Sequence, residues 1–485
     1  MSPPLTGLAG LPPGVARPDY DRAAHGIGIL HLGLGAFHRA HQAVYTDDAL
    51  AAQGGDWRIL GANLRSRDLP DAMNAQNGLY TVLERSDRDR ARVIGAHGPA
   101  IGGDGAAILR AACDPAIRIV SLTVSEKAYG IDRTAMDADL SHPAVAADLA
   151  APQAPQGVLG IVTAALAARK AAGTAPFTLL SCDNLPDNGA LLRAGVLGFA
   201  RRLDQALADW IAANVAFPAT MVDRITPAVT PATLADVEAM TGHRDLACVE
   251  TEPFSQWVIE DHFPQGRPAW EAGGAEFVRD VRPHEAMKLR MLNGSHSLLA
   301  YAGQLLGLAH VRDTVADAGL AALIRRHMRA AGATLPQGAG LDPDAYAQAL
   351  MARFANPAIA HQTRQIAMDA TEKLPQRWFA PAAELLARGG DTRPFAFATA
   401  TWLAWLAQMA ARGTVPDDPR GAVLLELAQK AGTEDAELVG SVLALPGVAP
   451  PAIAADPGFA GTVRRILTSI RSHGLRAAMQ AELAP

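Results

Sequence analysis

The sequence predicts two domains, an α/β N-terminal part built on a parallel sheet over residues 1–282 and a mainly α-helical part over 283–485. Three observations carry this. The 485 residues exceed what a single core usually organises. The N-terminal part alternates short β-branched runs with glycine turns and helical stretches. From about residue 283 long alanine- and leucine-rich stretches take over, at 285–306, 314–332, 344–354, 378–388, 396–412, 420–431 and 460–482.

Composition narrows the function class. The chain is 49% hydrophobic and 19% charged, and no uninterrupted apolar run is long enough for a membrane span. The start, "MSPPLTGLAGLPPGVARPDYD", reads as a Pro-rich arm and not a signal peptide, so a cytoplasmic enzyme is expected. A net charge of −6 with both signs dispersed gives no footprint for nucleic acid. Cys113, Cys182 and Cys248 lie far apart, which fits a reducing compartment and no zinc framework. The tightest histidine group, His31, His38 and His41, lacks a further ligand at suitable spacing, so no metal is expected.

The first element lies in "HGIGILHLGLGAFHRAHQAVYTDDALAAQ". Gly28 to Leu32 reads as a buried strand, Gly33-Leu34-Gly35 as a turn, and about Phe37 to Ala52 as a helix. A G-x-G turn lets the backbone approach a pyrophosphate, and the N–H groups of the helix start face it. Gly33, Gly35, Ala36 and Phe37 are therefore the cofactor candidates, in a Rossmann-like dinucleotide-binding domain. His38 stands where the third glycine of the full fingerprint falls. "WRILGANL" (57–64) supplies a second strand, and Asp68 beyond it suits the adenosine ribose hydroxyls, which favours NAD. Arg65 and Arg67 beside it leave NADP open. A third strand, Ile117 to Val124, ends in the polar cluster Thr123, Ser125, Glu126 and Lys127, of which Thr123 and Glu126 face the cofactor. A fourth, Phe177–Ser181, leads into "CDNLPDNG" and a helix from about Asn188. Ligands sit beyond the carboxyl ends of such strands, which places Asn184 within reach of a substrate. "FPATMVDRITP" (217–227) sets Asp223 and Arg224 at the end of another apolar run, as a structural ion pair or a site carboxylate.

The helical part opens with "RPHEAMKLRMLNGSHSLLAYAGQLL". At about 100° per residue, an unbroken α-helix sets Asn293 roughly 140° and His296 roughly 80° round from Lys288, with Glu285 on the lysine's stripe. These residue types suit alcohol oxidation. A lysine shielded from water can lose its proton and act as base, and amides such as Asn293 and Asn184 can stabilise an alkoxide. The plainer alternative is a surface lysine, a locally bonded asparagine and a histidine on the helix flank.

Taken together, "GLGAFHRAHQAVYTD", "SCDNLPDNG", "FPATMVDRITP", "EPFSQWVIEDHF", "QGRPAWE" and "KLRMLNGSHS" resemble the long-chain polyol dehydrogenases, the mannitol dehydrogenase family, over nearly the whole chain. The resemblance implies a metal-independent NAD enzyme, by family tendency a monomer, with oligomers left open. It implies Lys288 as general base, Asn184 and Asn293 as the alkoxide-stabilising pair, His296 on the substrate, Glu285 as proton relay and Asp223 lining the site. "HQTRQIAMDATEKLPQRW" (361–378) looks like the fructuronate reductases of the family, so the expected substrates are D-mannonate and D-fructuronate. A hexonate carboxylate needs cations or donors, for which Arg290, Arg364, Lys373, Arg377 and His361 are candidates. The segment departs from the D-G-S-Q-K-L-P pattern of those reductases at Ala370, where a lost glycine restricts the backbone if a positive φ is needed, and at Glu372. A neutral polyol such as mannitol or arabinitol is the alternative substrate. A non-catalytic NAD-binding sugar sensor and a zinc-dependent dehydrogenase are the rivals of other classes.

Overall fold

The computed structural model describes residues 2–124, 128–359 and 361–484, which fall into two compact units, Met1–Val281 and Arg282–Pro485. Unit 1 is organised by five parallel strands: β1 Ile27–Leu32, β2 Arg58–Asn63, β3 His97–Gly102, β4 Ile119–Leu122 and β5 Thr178–Ser181. Their order across the sheet is β3-β2-β1-β4-β5. That is the doubly wound arrangement whose switch point lies between β1 and β4, where ligands of such sheets bind. Both faces are covered, as parallel sheets require. Leu30, Leu32, Val120, Leu122 and Leu179 point into one core, while Ile29, Ile119 and Leu180 point into the other. The alternation follows from the two-residue period of a strand.

A smaller three-stranded sheet follows: β6 Thr220–Asp223 runs antiparallel to β7 Gln256–Glu260, which pairs in parallel with β8 Glu276–Val278. Buried Trp257 and Trp270 sit in the same core as the outer helix described next. The predicted helix from Phe37 to Ala52 is two pieces, α1 Ala36–Ala40 and α2 Gln42–Gln53, with the chain bent at His41 (φ −121°, ψ −94°). The first piece is under two turns long, so its dipole is small and the free N–H groups matter more than the dipole.

In unit 2 the first long helix is also interrupted. An α-helix, α3 Arg282–Met287, passes into a π-helical turn, Lys288–Asn293, and resumes as α4 Gly294–Leu306. Around it lie α5 Ala318–Gly332, α6 Pro343–Phe354, the short α7 Thr363–Ile366 and α8 Ala370–Leu374, and a second π segment, Pro375–Phe379. The 19-residue α9 Arg393–Ala411 is buried almost all round from Phe395 to Leu406 and packs on α4 and on Pro457–His473. A helix apolar on every side belongs at the centre of a bundle. No helix of the described residues is long and apolar enough to cross a membrane.

Candidate active site

In unit 1 the glycine turn sits at the carboxyl end of β1. Gly33 has φ +102°, and a Cβ there would lie 2.1 Å from the Thr123 carbonyl oxygen, so only glycine fits. Gly35 is different: a Cβ would meet no protein atom within 4 Å, so the glycine leaves open space beside the turn. The turn is pinned from both sides. Gly33 N–H donates to Ala62 O (2.7 Å), and Leu34 N–H donates to Asn63 Oδ1 (2.9 Å). Beneath it, Gly33 O can only accept, so His31 Nε2 donates to it (3.0 Å), while His31 Nδ1 meets the Ser121 hydroxyl at 2.8 Å and that hydroxyl donates to Gln42 Oε1 (3.0 Å). His31 and Ser121 are cross-strand partners of β1 and β4. Burial drives the His31 pKa down to about 3 and keeps the ring neutral at pH 7.

His38 stacks on His31 at 3.4 Å and meets His97 Nε2 at 3.1 Å, and His41 Nε2 bonds the Gln256 carbonyl. These rings act as a packed polar layer, and among the described residues no group of three His, Cys, Asp or Glu could hold a metal. Thr123 follows β4, and its Oγ1 is buried without a hydrogen-bond partner among the described residues. Open space at Gly35 and an orphaned hydroxyl at Thr123 fit a nucleotide laid across the turn. Ala36 and Phe37 begin α1, where helix geometry leaves their N–H groups without intrahelical partners. Asp68 is exposed at the first turn of the helix Asp68–Ala75, beside exposed Arg65 and Arg67. Glu126 lies outside the described residues.

Asn184 is exposed in the turn after β5, and Asp223 is the buried last residue of β6. The asparagine that builds the β5 turn is Asn188, whose amide donates to Asp183 O and Thr220 O and accepts from Thr220 N–H. Arg224 does not remain beside the site: its buried guanidinium pairs with Glu84 at 2.8 Å and donates to Glu252 O.

In unit 2 the structure corrects the helical phase. Gly294 N–H reaches Leu289 O, five residues back, the signature of a π turn. Residues five apart stand nearly above one another in such a turn, so Lys288 and Asn293 come closer to one face than α-geometry gives. Lys288 is only 8% exposed, and Asn293 and His296 are half-buried. Glu285 is half-buried one turn earlier. The second π segment braces this region, since Trp378 Nε1 donates to Gly294 O at 2.9 Å. Arg377 Nη1 donates to Ser297 Oγ at 2.9 Å and Asn293 O at 3.3 Å. Burial holds His296 well below its ordinary pKa, helped by nearby His361, Arg353 and Arg377, and lowers Arg377 to about 10.

Two of the predicted substrate cations are committed elsewhere. Arg290 is held by Glu384 at 2.7 and 2.8 Å and by Thr334 at 2.9 Å, so it is a structural residue and not a carboxylate clamp. Lys373 pairs with Asp369 at 3.2 Å and donates to Met368 O. Arg364 is exposed on α7. The Ala370 substitution carries no backbone cost, because Asp369 takes the left-handed conformation (φ +56°) and Ala370 is helical and buried. Arg353, close enough to His296 and His361 to act on both, has no motif around it that marks it in the sequence.

The comparisons with known proteins cover both units. Residues 27–272 match the mannitol dehydrogenase Rossmann domain, and residues 280–471 match the mannitol dehydrogenase C-terminal domain. An uncharacterized oxidoreductase of Escherichia coli (strain K12), YeiQ, is 42% identical over 97% of this chain and 97% of its own length. The D-mannonate oxidoreductase of the same organism is 41% identical, covering 96% of this chain and 98% of its own. The Pseudomonas fluorescens mannitol 2-dehydrogenase, solved as a ternary complex with NAD and D-mannitol, superposes with a TM-score of 0.80. It is 37% identical, over 100% of this chain and 99% of its own.

Proposed function

The chain belongs to the mannitol dehydrogenase family of oxidoreductases, and from that premise we propose that it is an NAD-dependent, metal-independent dehydrogenase interconverting D-mannonate and D-fructuronate. One observation carries the choice of chemistry: a buried lysine on a π turn, with an asparagine five residues on and a histidine three further. The likeness to a D-mannonate oxidoreductase over nearly the full length of both chains supports the choice of substrate, as does the fructuronate-reductase-like segment at 361–378.

In this reading NAD, bound against Gly33, Gly35, Ala36, Phe37 and Thr123, with Asp68 towards its adenosine ribose and Glu126 as a further contact, supplies the hydride acceptor. The Lys288 amine takes the hydroxyl proton as the carbon–hydrogen bond breaks, so the alcohol loses one proton and one hydride and becomes the ketone. Asn293 and Asn184 donate neutral hydrogen bonds to the developing alkoxide, which stabilise it without protonating it. His296, neutral at pH 7, holds a neighbouring hydroxyl. Glu285 returns the lysine's proton to solvent, and Asp223 orients substrate hydroxyls. Neutral polyols are the second reading, supported by the full-length likeness to a mannitol 2-dehydrogenase.

Lys288→Ala separates an enzyme from a sugar sensor. The variant is expected to lose about 10²- to 10⁴-fold in kcat, the usual worth of a positioned base, while NADH fluorescence titration gives an unchanged Kd. A wild type that binds NADH and D-mannonate without turnover makes the chain a sensor.

A further inference from the structure

The roles above leave one concentration of cationic and imidazole groups in unit 2 unassigned, gathered round His296. The His361 ring stands edge-on to the His296 ring, with centroids 5.3 Å apart. Phe354 leans on the same imidazole at 4.6 Å, and Arg353 precedes it at the end of α6. Arg377 crosses from the second π segment to Ser297 and the Asn293 carbonyl, on either side of His296 in the sequence.

Arg377 and His361 have polar atoms to spare. Both hydrogen bonds of Arg377 leave from Nη1, so Nε and Nη2 make none among the described residues. His361 Nδ1 is buried without a partner among the described residues. The carboxylate that acts on Arg377 from nearby is Asp369, and it is itself paired with Lys373. His296 and His361 are both pushed below their ordinary pKa by burial and by the cations, so each stays neutral at pH 7 while Arg377 stays charged. Buried positive charge with unfilled donors is costly until an anion arrives. A guanidinium fork matches the plane of a carboxylate.

We propose that Arg353, His361 and Arg377 form the carboxylate-recognising end of the substrate site and select a hexonate over the neutral polyol of the same carbon skeleton. This rests on the hexonate reading of the function and adds which residues enforce it.

The test is kcat/KM for D-mannonate and for D-mannitol, measured with wild type, Arg377→Gln, Arg377→Lys, Arg353→Gln and His361→Gln. The mannonate-to-mannitol ratio is expected to fall at least 30-fold in Arg377→Gln and at least 10-fold in Arg353→Gln and His361→Gln. Most of the loss should appear in KM for mannonate, with partial recovery in Arg377→Lys. Equal losses on both substrates would reduce these residues to supports of α4 and overturn the proposal. Thermal melting checks each variant, and Arg353→Gln carries the test if Arg377→Gln does not fold. A wild type that prefers mannitol sinks the substrate reading and this inference together. A wild type that prefers mannonate, with variants that keep its ratio, sinks the inference alone.

Discussion

At the scale of single residues, the decisive distinction is between cations whose donors are all spent on the fold and cations with donors left over. Arg290 and Arg377 look alike in the sequence, each in a basic, helix-forming segment. Arg290 spends its fork on Glu384 and Thr334, whereas Arg377 uses one nitrogen and leaves the rest of its fork over. Arg290→Gln is therefore expected to lower stability by about 1 kcal/mol, the modest worth of a partly exposed ion pair, and to leave the mannonate-to-mannitol ratio where it was. Urea titration and the two kcat/KM values check this, and a shifted ratio would return Arg290 to the substrate. Residue type and spacing single out Lys288, Asn293, His296 and the two glycines as candidates, because the chemistry and the backbone geometry proposed for those positions admit few residues. Ion-pair partners 94 residues apart, such as Arg290 and Glu384, leave no local trace, and neither does the nearness of Arg353 to His296.

At the scale of elements, strands and glycine turns were legible because a two-residue period and a required positive φ are local properties. The π turn was not. Reading "MKLRMLNGSHS" at 100° per residue splays Lys288 and Asn293 apart, and nothing in the apolar spacing reports one extra residue in a turn. The cause is tertiary: Trp378 and Arg377, from a second π segment, give donors to the carbonyls of Gly294 and Asn293 where the helical ladder changes register. The bend at His41 has the same origin, since its Nε2 is drawn to the Gln256 carbonyl on another sheet. Gly294 is the tight point. A Cβ there would lie 2.9 Å from His327 Nε2 and 3.3 Å from Arg377 O. Gly294→Ala is expected to cost about 1–3 kcal/mol by overpacking and to lower kcat by displacing Asn293. A variant with wild-type melting temperature and kcat would mean the two π segments do not set the geometry of this helix.

At the scale of the whole molecule, histidines kept neutral by burial make stability depend on pH. His31 is lowered to about 3 and His327 to about 4, and His38, His97, His296 and His361 are lowered as well. Below about pH 6.5 the unfolded chain takes up protons that the folded chain refuses, so stability falls with acidification, by up to about 1.4 kcal/mol per pH unit for each such ring. Buried Asp47 and Asp245, whose pKa values are raised, work in the opposite sense, but six imidazoles outnumber two carboxyls. Melting temperature is expected to be flat above pH 7 and to fall steadily from 6.5 to 5, and a constant value over that range would contradict the buried, neutral assignment.

Steady-state oxidation of D-mannonate and D-mannitol side by side, each with NAD and NADP, decides whether this protein acts on a hexonate as proposed. With NAD, kcat/KM for mannonate is expected to exceed that for mannitol at least a hundredfold, about 2.7 kcal/mol of discrimination. A preference for mannitol would contradict it and make the protein a polyol dehydrogenase of the same family.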